Sequence, residues 1–315
     1  MKNNIIAVAG ATGDLGGRIV SALLNKGAEV RAIVRPTSDS QKIRQLETLG
    51  VEVYKVSTWT LAELSKACNG ACCVVSALAG LRDVIIDAQK LLVDGAIAAG
   101  VPRFIPSDYS LDFTKFSDGE NRNLDLRREF HQHLDSTSIS STTIFNGAFA
   151  DLLLDKMPVI LFKQKLVLYW GNADNRWDFT TMDDTATYTA NAALDSSTPR
   201  YLRIAGDQIS PREIRAAVSQ VTGEKFKLIR TGGQKLLGII IKIARTFSPS
   251  KDDLYPAWQG MQYMHNMIDK RAKIEKLDND RYPGMHWTRV KELLVEHLDS
   301  VTNNSAYQAA SRPVS

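Results

Sequence analysis

The chain has 315 residues, 44% hydrophobic and 23% charged, which is enough apolar side chain for a sizeable core and excludes disordered, collagen-like and disulfide-scaffold classes. Its 39 basic and 35 acidic residues leave a net charge of only +4, spread along the chain, with none of the basic clustering that nucleic-acid binding needs. Three cysteines, Cys68, Cys72 and Cys73, are odd in number and lack zinc-like spacing, so a reduced, cytoplasmic protein with no bound metal is expected.

The first half alternates short apolar runs with helical patterns. Residues 5–9 form a continuous apolar run, the pattern of a parallel strand covered on both faces, and no leader pattern is expected before it. A glycine-rich turn follows at 10–17, then Leu15, Ile19, Val20, Leu23 and Leu24 recur at helical spacing until Gly27. Strands are predicted at 29–34, 51–56, 71–76, 101–105 and 142–145. The intervening helices are predicted at 38–49, 61–68, 84–99 and 124–134. Such alternation predicts a Rossmann-type, doubly wound parallel α/β sheet over residues 1–150.

After residue 150 the pattern changes, and 151–301 reads as a smaller α+β region. Residues 152–162 read as a helix, 165–170 as a strand, and 182–194 as a helix. Residues 201–205 read as a late strand of the main sheet, and 211–222 as a helix with a polar start. The longest greasy stretch, 236–244, is interrupted by Lys242 and is far shorter than the roughly 18 apolar residues a membrane span needs, so no membrane partner is expected. From Thr302 the chain turns polar, and 302–315 is expected to be a disordered tail.

Gly10-Ala11-Thr12-Gly13-Asp14-Leu15-Gly16 lies between the first strand and the first helix. There Gly10 permits a tight turn, Gly13 lets backbone approach a pyrophosphate, and Gly16 allows helix to pack on sheet. Arg35 follows the second strand, where an NAD enzyme carries an acid for the ribose hydroxyls. A guanidinium there suits a 2′-phosphate, so NADP(H) is the expected cofactor.

These residues resemble a known family. The glycine loop, Ala32-Ile33-Val34-Arg35, Cys73-Val74-Val75-Ser76-Ala77, and Pro102-Arg103-Phe104-Ile105-Pro106-Ser107-Asp108-Tyr109 are similar to the NmrA-like and isoflavone-reductase-like branch of the atypical short-chain dehydrogenases. Asn146-Gly147-Ala148-Phe149 and Asp183-Asp184 continue the likeness. The resemblance implies a Rossmann domain followed by a smaller substrate-binding region over 151–301, in which Thr12, Gly13 and Leu15 of the former touch the pyrophosphate and Arg35 and Lys42 meet the 2′-phosphate. It further implies that Ser76, Ala77 and Leu78 lie along the cofactor, with Ser107, Asp108, Asn146, Gly147, Ala148 and Phe149 at its nicotinamide end.

No Tyr-x-x-x-Lys pair occurs in the chain, which excludes the usual short-chain dehydrogenase proton donor. By the resemblance, the lysine of the isoflavone-type reductases falls on Arg127, a side chain that holds an oxyanion but does not give up its proton. Tyr109 stands either as a hydrogen-bond donor to a substrate carbonyl or as a packing ring. Tyr255, Trp258 and Tyr263 are candidate walls of a substrate pocket. His131 and His133 sit two apart on a predicted helix and so point to different faces. Two functions remain open: an NADPH-dependent reductase of small conjugated or aromatic carbonyls or quinones, and a non-catalytic NADP(H) sensor acting through a protein partner. A homodimer is compatible with either.

Overall fold

The computed structural model describes residues 5–248, 250 and 252–310, with side chains up to residue 300. The first half runs β1 (Ile5–Ala9), α1 (Asp14–Asn25), β2 (Glu29–Val34), α2 (Ser40–Thr48), β3 (Glu52–Lys55), α3 (Leu61–Cys68) and β4 (Cys73–Ser76). A π-helical turn, Asp83–Ala88, leads into α4 (Gln89–Ala98), then β5 (Arg103–Ile105), α5 (Arg122–Leu134), β6 (Ser140–Ser141) and β7 (Thr143–Phe145). The strands form a parallel sheet in the order β3-β2-β1-β4-β5-β6, the doubly wound arrangement.

Period-two alternation explains why these strands are apolar throughout. In β1, Ile6 and Val8 pack into one core with Ile19, Leu23 and Tyr188, while Ala7 and Ala9 face the other with Leu64, Ile86 and Phe130.

Beyond Phe145 come β8 (Ala148–Phe149), β9 (Ile160–Leu161), β10 (Leu166–Trp170), β11 (Trp177–Thr180) and α6 (Met182–Leu194). They are followed by β12 (Tyr201–Arg203), β13 (Asp207–Ile209), α7 (Pro211–Thr222), β14 (Lys227–Gly232), α8 (Gln234–Phe247), α9 (Ala257–Met267) and α10 (Val290–Ala310). Two small sheets, β14-β10-β9 and β13-β11-β8, enclose a third core with α7, α9 and α10. Chain order and space part company here. β12 returns as a parallel neighbour of β7, and α6 contributes Tyr188, Ala190 and Ala193 to the core beside α1.

The helix expected at 152–162 does not form. One 3-10 turn, Ala150–Leu154, gives way to β9, because Pro158 has no N–H to donate and disfavours helical backbone at Met157. α10 runs through Ala310, across most of the segment expected to be disordered, and residues 311–315 lie outside those described. Among the described residues no helix is long and apolar enough to cross a membrane.

Candidate active site

The loop between β1 and α1 is shaped by contacts that only glycine tolerates. Gly10 sits at φ +83°, and a Cβ there would come within 2.6 Å of the Ala77 carbonyl oxygen, in the loop after β4. A Cβ at Gly16 would lie 2.0 Å from the Gly10 oxygen. Gly13 is the N-cap of α1 and brings no side-chain cap, so the first amides of the helix remain available to an anion. Lys42 Nζ donates to the Thr12 carbonyl at 3.0 Å, which ties α2 to the loop and sets a positive charge over it. Arg35 is exposed at the end of β2, in a turn closed by the Ser38 amide donating to its carbonyl. Leu15 packs against the core beneath. Asp14 is paired with Arg18 at 2.8 Å, and Arg18 reaches Asp183 at 2.7 Å, so Asp14 serves the outer face of α1.

Ser107 acts as a clamp. Its hydroxyl donates to the Leu78 carbonyl at 2.6 Å and its amide to Gln89 Oε1 at 2.9 Å, joining the loops after β4 and β5. Asn146 donates to Thr185 Oγ1, and its carbonyl accepts from Thr180 Oγ1 at 2.8 Å. Gly147, at φ +68°, lets the turn pass the Asp178 carbonyl, which a Cβ would approach to 2.3 Å. Ala148 and Phe149 then pair with Phe179 and Thr180 of β11.

Asp108 and His131 form a buried pair that the sequence pattern misses. Asp108 Oδ2 accepts from His131 Nε2 at 2.6 Å and from Thr143 Oγ1 at 2.8 Å. Arg200 Nη2 donates to His131 Nδ1 at 3.0 Å, and since arginine only donates, the ring proton sits on Nε2. Burial alone would raise the Asp108 carboxyl. The hydrogen bonds from His131 and Thr143 and the Arg127 charge outweigh it and hold the group below the usual carboxylate range.

Tyr109 is a packing ring. It lies in the core with Cys73, Ile144 and Tyr188, its hydroxyl is buried beside Thr189, and burial pushes its phenol up. Of the two readings of this side chain, donation to a substrate is the one the geometry opposes. Tyr109→Phe is therefore expected to leave turnover unchanged and to shift stability by less than about 1 kcal/mol, because at most one weak contact, to Thr189, is lost; steady-state rates and a urea titration check this.

Arg127 stands where the two halves of the molecule meet. Its Nη1 donates to the Asn123 carbonyl at 2.9 Å, its Nε is buried with no partner, and its charge acts on both Asp108 and Tyr263. Tyr263 is thus brought to the site. Trp258 is only 4% exposed, held between Arg122 at 4.8 Å and Arg245 at 5.1 Å, and Tyr255 is 65% exposed at the surface.

A buried amide cluster fixes α9 over the start of α5. Asn121 caps α5 by accepting from the Asn123 and Leu124 amides. It also accepts from Gln259 Nε2 at 2.8 Å and donates to Asn266 Oδ1 at 3.0 Å. Arg127 lies just past this cap, so the amides orient it. Cys68 and Cys73 are buried and their thiols are pushed up to about 12, which removes them as nucleophiles.

A family model for the NmrA-like family matches residues 2–286. The chain belongs to the NmrA-like family. Within it, pinoresinol reductase 2 of Arabidopsis thaliana is 27% identical over 92% of this chain and 95% of its own. The structure of AtPrR2 with NADP+ and (+)pinoresinol shares the fold with a TM-score of 0.80 at 23% identity, covering 94% of this chain and 99% of that one. A crystal structure of isoflavone reductase does so with a TM-score of 0.78 at 19% identity, over 94% and 99%. The departure in this family member is chemical, an arginine at 127 where the resemblance leads one to expect a lysine.

Proposed function

We propose that this chain is an NADPH-dependent reductase that delivers hydride to an electron-poor carbon of a small conjugated or aromatic carbonyl or quinone-type substrate. The observation that carries the reading is a set of buried polar atoms without partners: Ser76 Oγ, Asp108 Oδ1, Arg127 Nε and Asn146 Oδ1. Native proteins leave few such atoms, and these stand at or just beyond the C-terminal ends of β4, β5 and β7 and on α5, the edge where doubly wound sheets bind ligands. The glycine loop fits a diphosphate, and Arg35 with Lys42 fits the additional phosphate of NADPH. AtPrR2, on the same fold, is described with NADP+ and (+)pinoresinol, which supports the cofactor half of the reading.

When bound, NADPH supplies the hydride. The tasks of the chain's own residues are positional and electrostatic. The α1 amides hold the diphosphate, and the Ser107 clamp keeps the loops after β4 and β5 at a fixed spacing. The Arg127 guanidinium faces the charge that develops on a substrate oxygen, with the Asn123 carbonyl holding its Nη1. The final proton comes from water, since Arg127 retains its own and Tyr109 is sealed in the core.

Arg35→Ala is expected to weaken NADPH binding by about 10- to 100-fold, the range of one or two charge-assisted hydrogen bonds, and to leave NADH binding unchanged. Calorimetric titration with both dinucleotides reads this; equal losses would remove the 2′-phosphate assignment. Arg127 in place of a proton-donating lysine also favours a second reading, a dinucleotide sensor acting through a partner protein. NADPH consumption across quinones, enals and phenylpropenyl compounds separates the two. Oxidation of NADPH by any of them supports the reductase, and tight binding of NADP+ and NADPH with no turnover supports the sensor.

A further inference from the structure

The greasy stretch at 236–244 finds a use that the dinucleotide site does not account for. It lies within α8, a 14-residue helix about 21 Å long at 1.5 Å per residue. Leu237 and Ile241 bury one face of α8 in the third core. A second face is left outside. Leu236, Ile239, Ile243 and Phe247 are spaced three or four residues apart and are 46%, 55%, 53% and 84% exposed. Scattered exposed apolar residues need no explanation, but a continuous helical stripe of them does.

Along the chain the charge flanking the stripe has one sign, while across space Asp269 meets Gln234 at the start of α8. From Lys225 to Lys251 the chain carries seven basic residues and no acidic one. Lys227, Arg230, Lys235 and Lys242 are all exposed, and the strand before α8 also exposes Ile229. This local concentration departs from the dispersed charge expected from the whole chain, which is only +4. A helix with an exposed bulky apolar face flanked by lysines is the pattern of a segment that lies in the plane of a lipid headgroup layer. A second copy of the chain is a poorer occupant, since a two-fold interface along the stripe would bring each copy's basic residues against the other's.

We propose that α8 seats this protein on an anionic lipid surface, with Leu236, Ile239, Ile243 and Phe247 entering the headgroup layer and Lys235 and Lys242 meeting the lipid charge. The absence of a spanning segment does not bear on this, as a helix lying flat needs none. The consequence is functional: an enzyme held at a bilayer meets substrates dissolved in it.

Flotation of the full-length protein with vesicles tests the proposal, and the result does not depend on whether the protein turns over NADPH. Binding to phosphatidylcholine vesicles carrying roughly one-third phosphatidylglycerol is expected to exceed binding to pure phosphatidylcholine by at least about tenfold, given a roughly fivefold gain for each basic residue near the surface. Raising the salt concentration should remove most of that difference. Ile243→Glu and Phe247→Glu alter exposed side chains, so each should keep the wild-type melting temperature and NADPH affinity while losing vesicle binding by about tenfold or more. Lys235→Glu with Lys242→Glu should lose the preference for anionic vesicles. Absence of binding to the anionic vesicles, or undiminished binding by Phe247→Glu, would overturn the proposal. So would a lipid-free dimer in sedimentation velocity that Phe247→Glu splits, because the stripe would then be an interface between copies.

Discussion

Gly16→Ala is expected to raise the NADPH dissociation constant by at least about a hundredfold, the loss of two charge-assisted hydrogen bonds at about 1.5–3 kcal/mol each. The cause is local. The added Cβ would sit 2.0 Å from the Gly10 oxygen and 2.7 Å from its carbonyl carbon, both backbone atoms that no rotamer change can move. Relief requires the loop to splay from the helix, and the first-turn amides of α1 then no longer converge on one diphosphate. Gly17→Ala makes the matching control. Its Cβ would stand 3.6 Å from the Ala11 oxygen, an ordinary contact, and the position lies inside α1. That variant should bind NADPH as the wild type does and be stabler by about 0.5–1 kcal/mol, the helix-interior cost of glycine. Fluorescence titration of NADPH and thermal melts of the three proteins read both effects. Wild-type affinity in Gly16→Ala would place the dinucleotide elsewhere.

Arg127→Met should lower kcat by about 10²–10³ while leaving the NADPH dissociation constant within about twofold, the signature of a group that stabilises charge formed only in the transition state. Arg127→Lys keeps the positive charge and adds a group that can lose its proton. It should retain turnover and acquire an alkaline fall in kcat that the wild type lacks, because lysine titrates near pH 10 and arginine does not. The pH–rate profiles of the two proteins, taken with one active quinone or enal, make the comparison. Full activity in Arg127→Met would remove the guanidinium from the chemistry.

The sheet and the dinucleotide loop were legible from the chain because they are written in local terms. The apolar run of β1 needs two covered faces wherever it is found, and the glycine spacing needs a strand before it and a helix after it. Arg35 follows β2 at a position whose ligand is dictated by topology. The failures were equally specific. Residues 152–162 are apolar enough for a helix, but one proline redirects them. Tyr109 sits next to Asp108 in the chain, yet their side chains differ in fate, one entering a core and the other a polar network. His131 gave no helical clamp signal because its partners, Asp108 and Arg200, are 23 and 69 residues away.

From the order of its residues alone, then, this protein determines a parallel sheet, a phosphate-binding turn and a cationic end to β2, since each depends on neighbours within a few turns of chain. Which side chains reach the reacting end is decided only when α9 docks on α5 through Asn121, Gln259 and Asn266. Those amides are 138 and 145 residues apart in sequence. Burial, which decides whether an arginine meets a ligand or a tyrosine merely fills space, is a property of the packed whole and has no local signature.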